Sequence, residues 1–86
     1  MKLNENYIVH IDGGETLLVP TAEASFSGIV RGNKTLGLIL ELLEQEITRD
    51  EIVRTLSDRF ESEDGEIEND VDSVLKRLRE IGAVDD

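Results

Sequence analysis

The chain has no cysteine and no tryptophan, and its 86 residues include only one proline, one histidine, one tyrosine and two phenylalanines. Without cysteine there is no disulfide scaffold, no thiolate-ligated zinc or iron–sulfur site and no thiol nucleophile. A single histidine is too few for a histidine-based metal site, and a His/Asp-type relay would rest on His10 alone. Positive charge is also scarce. Nine bases against twenty acids give a net charge of −11 and a pI near 4.3, a surface that repels phosphate backbones and anionic lipid. Neither a nucleic-acid nor a membrane partner is therefore expected. No apolar run approaches the roughly 20 residues of a membrane-crossing helix, and Met1–Asn6 has no signal-peptide core, so the expected location is cytoplasmic. Disorder is not expected either, because hydrophobic residues make up 38% of the chain. The length suits one domain spanning residues 1–86, with a modest core that buries about 60–65% of the surface exposed by the unfolded chain.

Charge is uneven along the chain. Residues 1–43 carry a net −2 and residues 44–86 a net −9. The character of the sequence changes at about the same place, from strand and turn to helix. Tyr7–Ile11 and Thr16–Val19 are rich in β-formers, and Asp12-Gly13-Gly14-Glu15 between them supplies the positive φ angles of a tight hairpin turn. Either glycine pair could hold that turn, so the register stays open. Pro20 ends the second strand because it cannot donate to a ladder. Gly28–Arg31 offers a third, short strand with no partner following it, a candidate sheet edge.

Gly32-Asn33 breaks that strand, and Asn33 or Thr35 can cap the next helix. Leu36, Ile39, Leu40 and Leu43 recur at helical spacing. Thr48 and Glu51 form a capping box opening a second helix with Ile52, Val53, Leu56 and Phe60. Glu61 to Gly65 reads as a polar loop. From Glu66 onward Ile67, Val71, Val74, Leu75, Leu78 and Ile81 form one apolar face, and Gly82 follows as a stop. Acids at the start of this third helix and Lys76, Arg77 and Arg79 in its second half complement the helix dipole. The expected fold is α+β: a three-stranded antiparallel sheet followed by three helices.

No catalytic or metal constellation emerges. A calcium loop with Gly65 at its sixth position would need oxygen ligands where Phe60 and Val71 stand. His10 has no acidic or nucleophilic neighbour at a useful spacing. Ser25 and Ser27 lack a glycine elbow, and Gly28-Ile-Val-Arg-Gly32 lacks the Lys-Ser/Thr of a phosphate loop. No enzyme activity, cofactor or metal is expected.

Ser27-Gly28-Ile29-Val30-Arg31-Gly32-Asn33-Lys34-Thr35, leading into Leu36–Leu43, then Thr48–Val53, then Asp70-Val71-Asp72 with Leu75, Leu78 and Gly82, resembles the family of the pyrroloquinoline-quinone biosynthesis protein D. These PqqD-like domains are small peptide chaperones, also called RiPP recognition elements. The resemblance runs from about Tyr7 to Val84. The sequence departs from the family pattern at Leu40, where an aromatic often stands, and at Gly32, where the strand often ends in a larger apolar residue. The resemblance implies a winged helix-turn-helix-like fold and a peptide-binding role. The leader segment of a ribosomally made precursor peptide would add as a strand to the third strand, beside the third helix. The domain would present the peptide to a modifying enzyme, often a radical-SAM maturase. An edge strand offers unpaired N–H and C=O groups for such an addition.

The candidate peptide-binding residues are Gly28, Ile29, Val30 and Arg31 on the strand, and Asp70, Ser73, Val74, Arg77 and Ile81 on one border of the third helix. The opposite border, with Glu68, Asp72 and Arg79, is the alternative. The first has smaller side chains and one isolated base. Arg31 and Arg77 are the candidate readers of an acidic leader residue, since an acidic peptide needs a local cation on so acidic a protein. Alternatively, Arg77 offsets the helix dipole and pairs with Ser73 or Glu80. Two other functions stand beside peptide binding: a DNA-binding winged helix, whose last helix would begin with four acids of the wrong sign, and an adaptor that docks on an enzyme and binds no peptide. An open edge also permits either a monomer or an edge-paired dimer.

Overall fold

In the computed structural model, which describes residues 1–61 and 65–86, the chain forms β1 (Lys2–Leu3), β2 (Tyr7–Asp12), β3 (Glu15–Pro20), β4 (Val30–Gly32), α1 (Lys34–Leu42), α2 (Arg49–Arg59), α3 (Glu66–Glu80) and β5 (Val84–Asp85). The expected loop from Glu61 to Gly65 lies largely outside the described residues. Gly13 and Gly14 hold the hairpin turn at φ +56° and +89°, a left-handed pair that matches the twist of the flanking strands. Asp12 therefore faces Glu15, His10 faces Leu17 and Tyr7 faces Pro20. β4 adds antiparallel to β3, with Leu17 facing Arg31 and Leu18 facing Val30, in the order β2-β3-β4.

The third strand starts two residues later than the sequence suggested. Gly28 stands at φ +146°, and a Cβ there would lie 3.2 Å from the Phe26 ring. The chain bends at that point, and extended pairing begins only at Val30. A second, two-stranded sheet was not anticipated: β1 pairs antiparallel with β5, and Leu3 N–H donates to the Leu43 carbonyl at 2.8 Å.

Helix starts follow local chemistry. The Asn33 side chain accepts from the Thr35 and Leu36 amides at 3.1 and 3.3 Å. Thr48 and Glu51 form the reciprocal capping box. Gly82, at φ +74°, follows α3. The inner face of the sheet packs on the helices through Leu18 and Val30. These meet Ile39, Leu40, Leu43, Ile52, Leu56, Val71, Leu75 and Leu78 in one buried cluster. Gly37 lets α1 approach the sheet, since a Cβ there would lie 2.6 Å from Thr16 Oγ1. At Gly32 a Cβ would run into the Leu36 side chain, which accounts for glycine where the family pattern often has a larger apolar residue. The result is an α+β, winged helix-turn-helix-like arrangement, and none of the described helices is long and apolar enough to cross a membrane.

Candidate peptide-binding site

A two-residue hairpin turn with both φ values positive closes on a hydrogen-bonded pair, here Asp12 and Glu15. Bonded and non-bonded pairs then alternate along an antiparallel ladder. His10 and Leu17 exchange main-chain bonds, so the N–H and C=O of Leu17 point toward β2. Those of Thr16 and Leu18 point toward β4 and meet Gly32 and Val30. By the same alternation, the N–H and C=O of Arg31 point away from β3, into the free edge of the sheet. Pro20 falls at a non-bonded position opposite Tyr7, where its missing N–H costs no ladder bond.

Side chains alternate as well. Val30 is 4% exposed and lies in the core, whereas Ile29 is 55% exposed. Arg31 shares the outer face of the sheet with its cross-strand neighbours Leu17 and His10. Beside the free edge runs a cleft of about 240 Å³, lined on the strand side by Val30 and Arg31 and on the helix side by Val74 and Arg77. Gly32, Asn33, Leu36 and Leu78 complete it. These four were not singled out from the sequence. Leu36 and Leu78 read as core, and only their position at the end of the sheet gives them a second surface. The cleft contains two arginines and no acid. Neither Arg31 nor Arg77 has an ion-pair partner among the described residues, so the pairing of Arg77 with Ser73 or Glu80 is not formed.

The remaining candidates lie elsewhere. Gly28 and Ile29 line a separate hollow with Val19, Pro20 and Phe26. Asp70 faces a third depression with Thr35, Leu56 and Phe60. Ser73 is exposed on α3. Ile81 is half-buried against the core, and its carbonyl accepts the Tyr7 hydroxyl. On the opposite border of α3, Asp72 is held by Arg49 from α2 at 2.8 and 2.9 Å. These hydrogen bonds hold the Asp72 carboxyl below its ordinary range and push the Arg49 guanidinium further up. That border is thus engaged in joining two helices. Among the described residues, no group of three or more His, Asp or Glu side chains stands together as a metal site.

The sequence profile of the family described as coenzyme PQQ synthesis protein D matches residues 8–84. No curated protein matches the sequence. Among solved structures, the chain is similar to TbiB1 in complex with the TbiA(beta) leader peptide. The TM-score is 0.80 at 18% identity, covering 99% of this chain and 95% of the other. That likeness establishes a shared fold.

Proposed function

The chain belongs to the family of coenzyme PQQ synthesis protein D, and on that premise we propose that it binds the leader segment of a ribosomally made precursor peptide and presents the adjoining segment to a modifying enzyme. The observation that carries the proposal is the cleft between β4 and α3, where outward main-chain groups of Arg31 stand beside an apolar floor of Val30, Leu36, Val74 and Leu78. An extended peptide pairs with the strand edge through its main chain and sets alternate side chains into the cleft. Arg31 and Arg77 favour a leader that carries carboxylates. The structural neighbour was solved with a leader peptide, which supports the same class of ligand here. The enzyme served is a maturase of the radical-SAM kind or another precursor-modifying protein, and this chain supplies recognition without chemistry of its own.

The test is calorimetric titration with the leader segment of a candidate precursor peptide, with no enzyme present. Saturable one-to-one binding that shifts the amides of Val30, Arg31, Val74 and Arg77 is the expected result. Failure to bind the leader, with binding to the enzyme intact, would leave a docking adaptor. Turnover of the precursor by the purified protein alone would overturn the non-catalytic role.

A further inference from the structure

β2 is the other edge of the three-stranded sheet, and at six residues it is longer than the three-residue β4. The Thr21 N–H donates to the Asn6 carbonyl at 2.8 Å. That bond continues the β2–β3 ladder one step past Tyr7 and fixes its phase. Asn6, Ile8 and His10 turn their N–H and C=O groups toward β3, and Tyr7, Val9 and Ile11 turn theirs outward. Tyr7 N–H donates to the Asn4 carbonyl at 3.2 Å. The N–H and C=O groups of Val9 and Ile11 meet no partner among the described residues.

A free edge of this length is normally blunted by a lysine, a proline or a bulge. Tyr7-Ile8-Val9-His10-Ile11 contains no lysine, arginine, proline or carboxylate, and its register to β3 runs without a skipped residue. Ile8 is 57% exposed and Ile11 50%. They are two of the four large apolar side chains that the described residues leave open to solvent. The charge that would hold two copies apart is concentrated elsewhere, with a net −2 in residues 1–43 against −9 in residues 44–86.

We propose that β2 is a self-pairing edge, through which two copies of the chain join antiparallel about a two-fold axis at Val9 into one continuous sheet. The strand is self-complementary in that register. Val9 and its symmetry mate exchange both main-chain bonds, and on either side the Ile11 N–H donates to the Tyr7 carbonyl of the second copy. Ile8 falls opposite His10 and Ile11 opposite Tyr7, so both exposed isoleucines gain a cross-strand neighbour. At the ends Asp12 meets Asn6 and Glu5 meets Gly13, so no acid faces another acid. Sliding one copy by two residues sets Ile11 opposite Glu5 or Tyr7 opposite Gly13. A one-residue slide turns outward groups against inward ones. The contact is confined to one strand and its side chains, short of the roughly 1,200 Å² of stable complexes. The dimer is therefore weak, and salt strengthens it by screening the net −11 of each copy. β4 stays free in both copies, so the pairing goes beyond leader binding and does not depend on it.

The experiment is sedimentation of the protein alone, from about micromolar to millimolar concentration at low and high salt, with nitrogen-15 spectra over the same range. The expected result is a monomer–dimer equilibrium that salt strengthens. The amides of Ile8, Val9, His10 and Ile11 should move with concentration, and those of Val30 and Arg31 should stay still. Isotope-filtered contacts between Ile8 and His10, in a mixture of labelled and unlabelled chains, fix the register. Val9→Pro removes an outward donor, spares the ladder to β3 and should hold the protein monomeric. If circular dichroism shows that variant unfolded, Ile8→Lys decides, because Ile8 is exposed. Ile8→Lys lowers the net negative charge, so association governed by overall repulsion would tighten, whereas edge pairing should weaken at least about tenfold. Leader affinity, titrated separately, should be unchanged in Ile8→Lys, so a failure of leader binding does not mimic a failure here. A monomer at every concentration in high salt would overturn the proposal. So would movement confined to Val30 and Arg31, which would make β4 the self-pairing edge, or a dimer that Ile8→Lys leaves as strong as wild type.

Discussion

The hydroxyl of Tyr7 donates a hydrogen bond to the main-chain carbonyl of Ile81, joining the first residue of β2 to the residue that ends α3, 74 positions away. The Tyr7 side chain is buried, and its bond fixes how α3 lies beneath the sheet. The β4–α3 cleft inherits that placement. Tyr7→Phe keeps the ring and removes the donor. It should cost about 0.5–1.5 kcal/mol, which for a domain of this length is a fall in Tm of roughly 2–12 °C. Urea unfolding of both proteins measures it. An unchanged midpoint would mean that packing alone positions the helix.

Gly37 lies within α1, where alanine would ordinarily be favoured by about 1 kcal/mol. Here the sheet forbids it, because the added Cβ would lie 2.6 Å from Thr16 Oγ1 and Thr16 is itself buried. Gly37→Ala should therefore destabilise, by about 1–3 kcal/mol before the propensity gain is deducted. Increased stability on denaturant unfolding would show that α1 can slide without loss.

The Arg49–Asp72 pair makes stability depend on pH. Arg49 donates from Nε and Nη2 to the Asp72 carboxylate and lowers its pKa. A carboxyl with a folded pKa below its unfolded value, about 3.9, stabilises the fold above that pH. The contribution is lost as pH falls through the folded value. The Tm difference between wild type and Asp72→Asn should be constant from neutral pH to about 5, then close below about 4. Both side chains are substantially exposed, so added salt should shrink it. A difference that widens on acidification would contradict the pairing.

How much of this was legible from the sequence depended on how local the cause was. Thr48 and Glu51 define a helix start within four residues, and the apolar stripe from Ile67 to Leu78 defines a face from periodicity alone. The hairpin register was open because Asp12-Gly13 and Gly13-Gly14 satisfy the same turn chemistry, and only cross-strand packing of Tyr7 and Leu18 selects one. Pairing begins at Val30 because Gly28 bends over Phe26, a contact with no periodic signature. β1 and β5 are two residues each, too short to carry a pattern, and they exist only where the chain ends meet. Of the nine candidate site residues, the structure brings Val30, Arg31, Val74 and Arg77 to one cleft. Helical spacing could rank Asp70, Ser73 and Ile81 beside them but could not show where β4 stops.

The register of β4 decides which proline substitution tests main-chain pairing with the leader. Val30 N–H points toward Leu18, so Val30→Pro breaks the sheet itself and should unfold the buried edge. Arg31 N–H points outward. Arg31→Pro should leave the ladder to β3 intact and lower leader affinity at least about tenfold beyond Arg31→Ala, by removing a donor and obstructing the added strand. Circular dichroism and calorimetry on the three variants separate these effects. Arg31→Pro with full affinity would place the leader elsewhere.

The two arginines of the cleft approach a docked strand from different sides. Arg31 faces Leu17, which faces His10, so its side chain rises from the outer face of the sheet. Arg77 comes from α3, beneath the inner face. Successive side chains of an added strand point to opposite faces. If the leader adds to β4 as proposed, Arg31 and Arg77 would meet two different leader positions an odd number of residues apart, not one shared carboxylate. A desolvated arginine–carboxylate pair contributes about 1.5–3 kcal/mol, a 10- to 150-fold change in affinity. A solvent-exposed pair contributes well under about 1 kcal/mol. Arg31→Ala and Arg77→Ala, titrated at low and high salt, should each weaken a leader bearing both acids, and their effects should add within about 0.5 kcal/mol. Neutralising one leader acid should abolish the effect of one arginine variant and leave the other. Losses below about threefold for both variants would leave the cleft as an apolar and main-chain binder. Strong non-additivity would mean that both arginines meet at a single carboxylate, with the Arg31 side chain curling around the strand edge to reach the inner face.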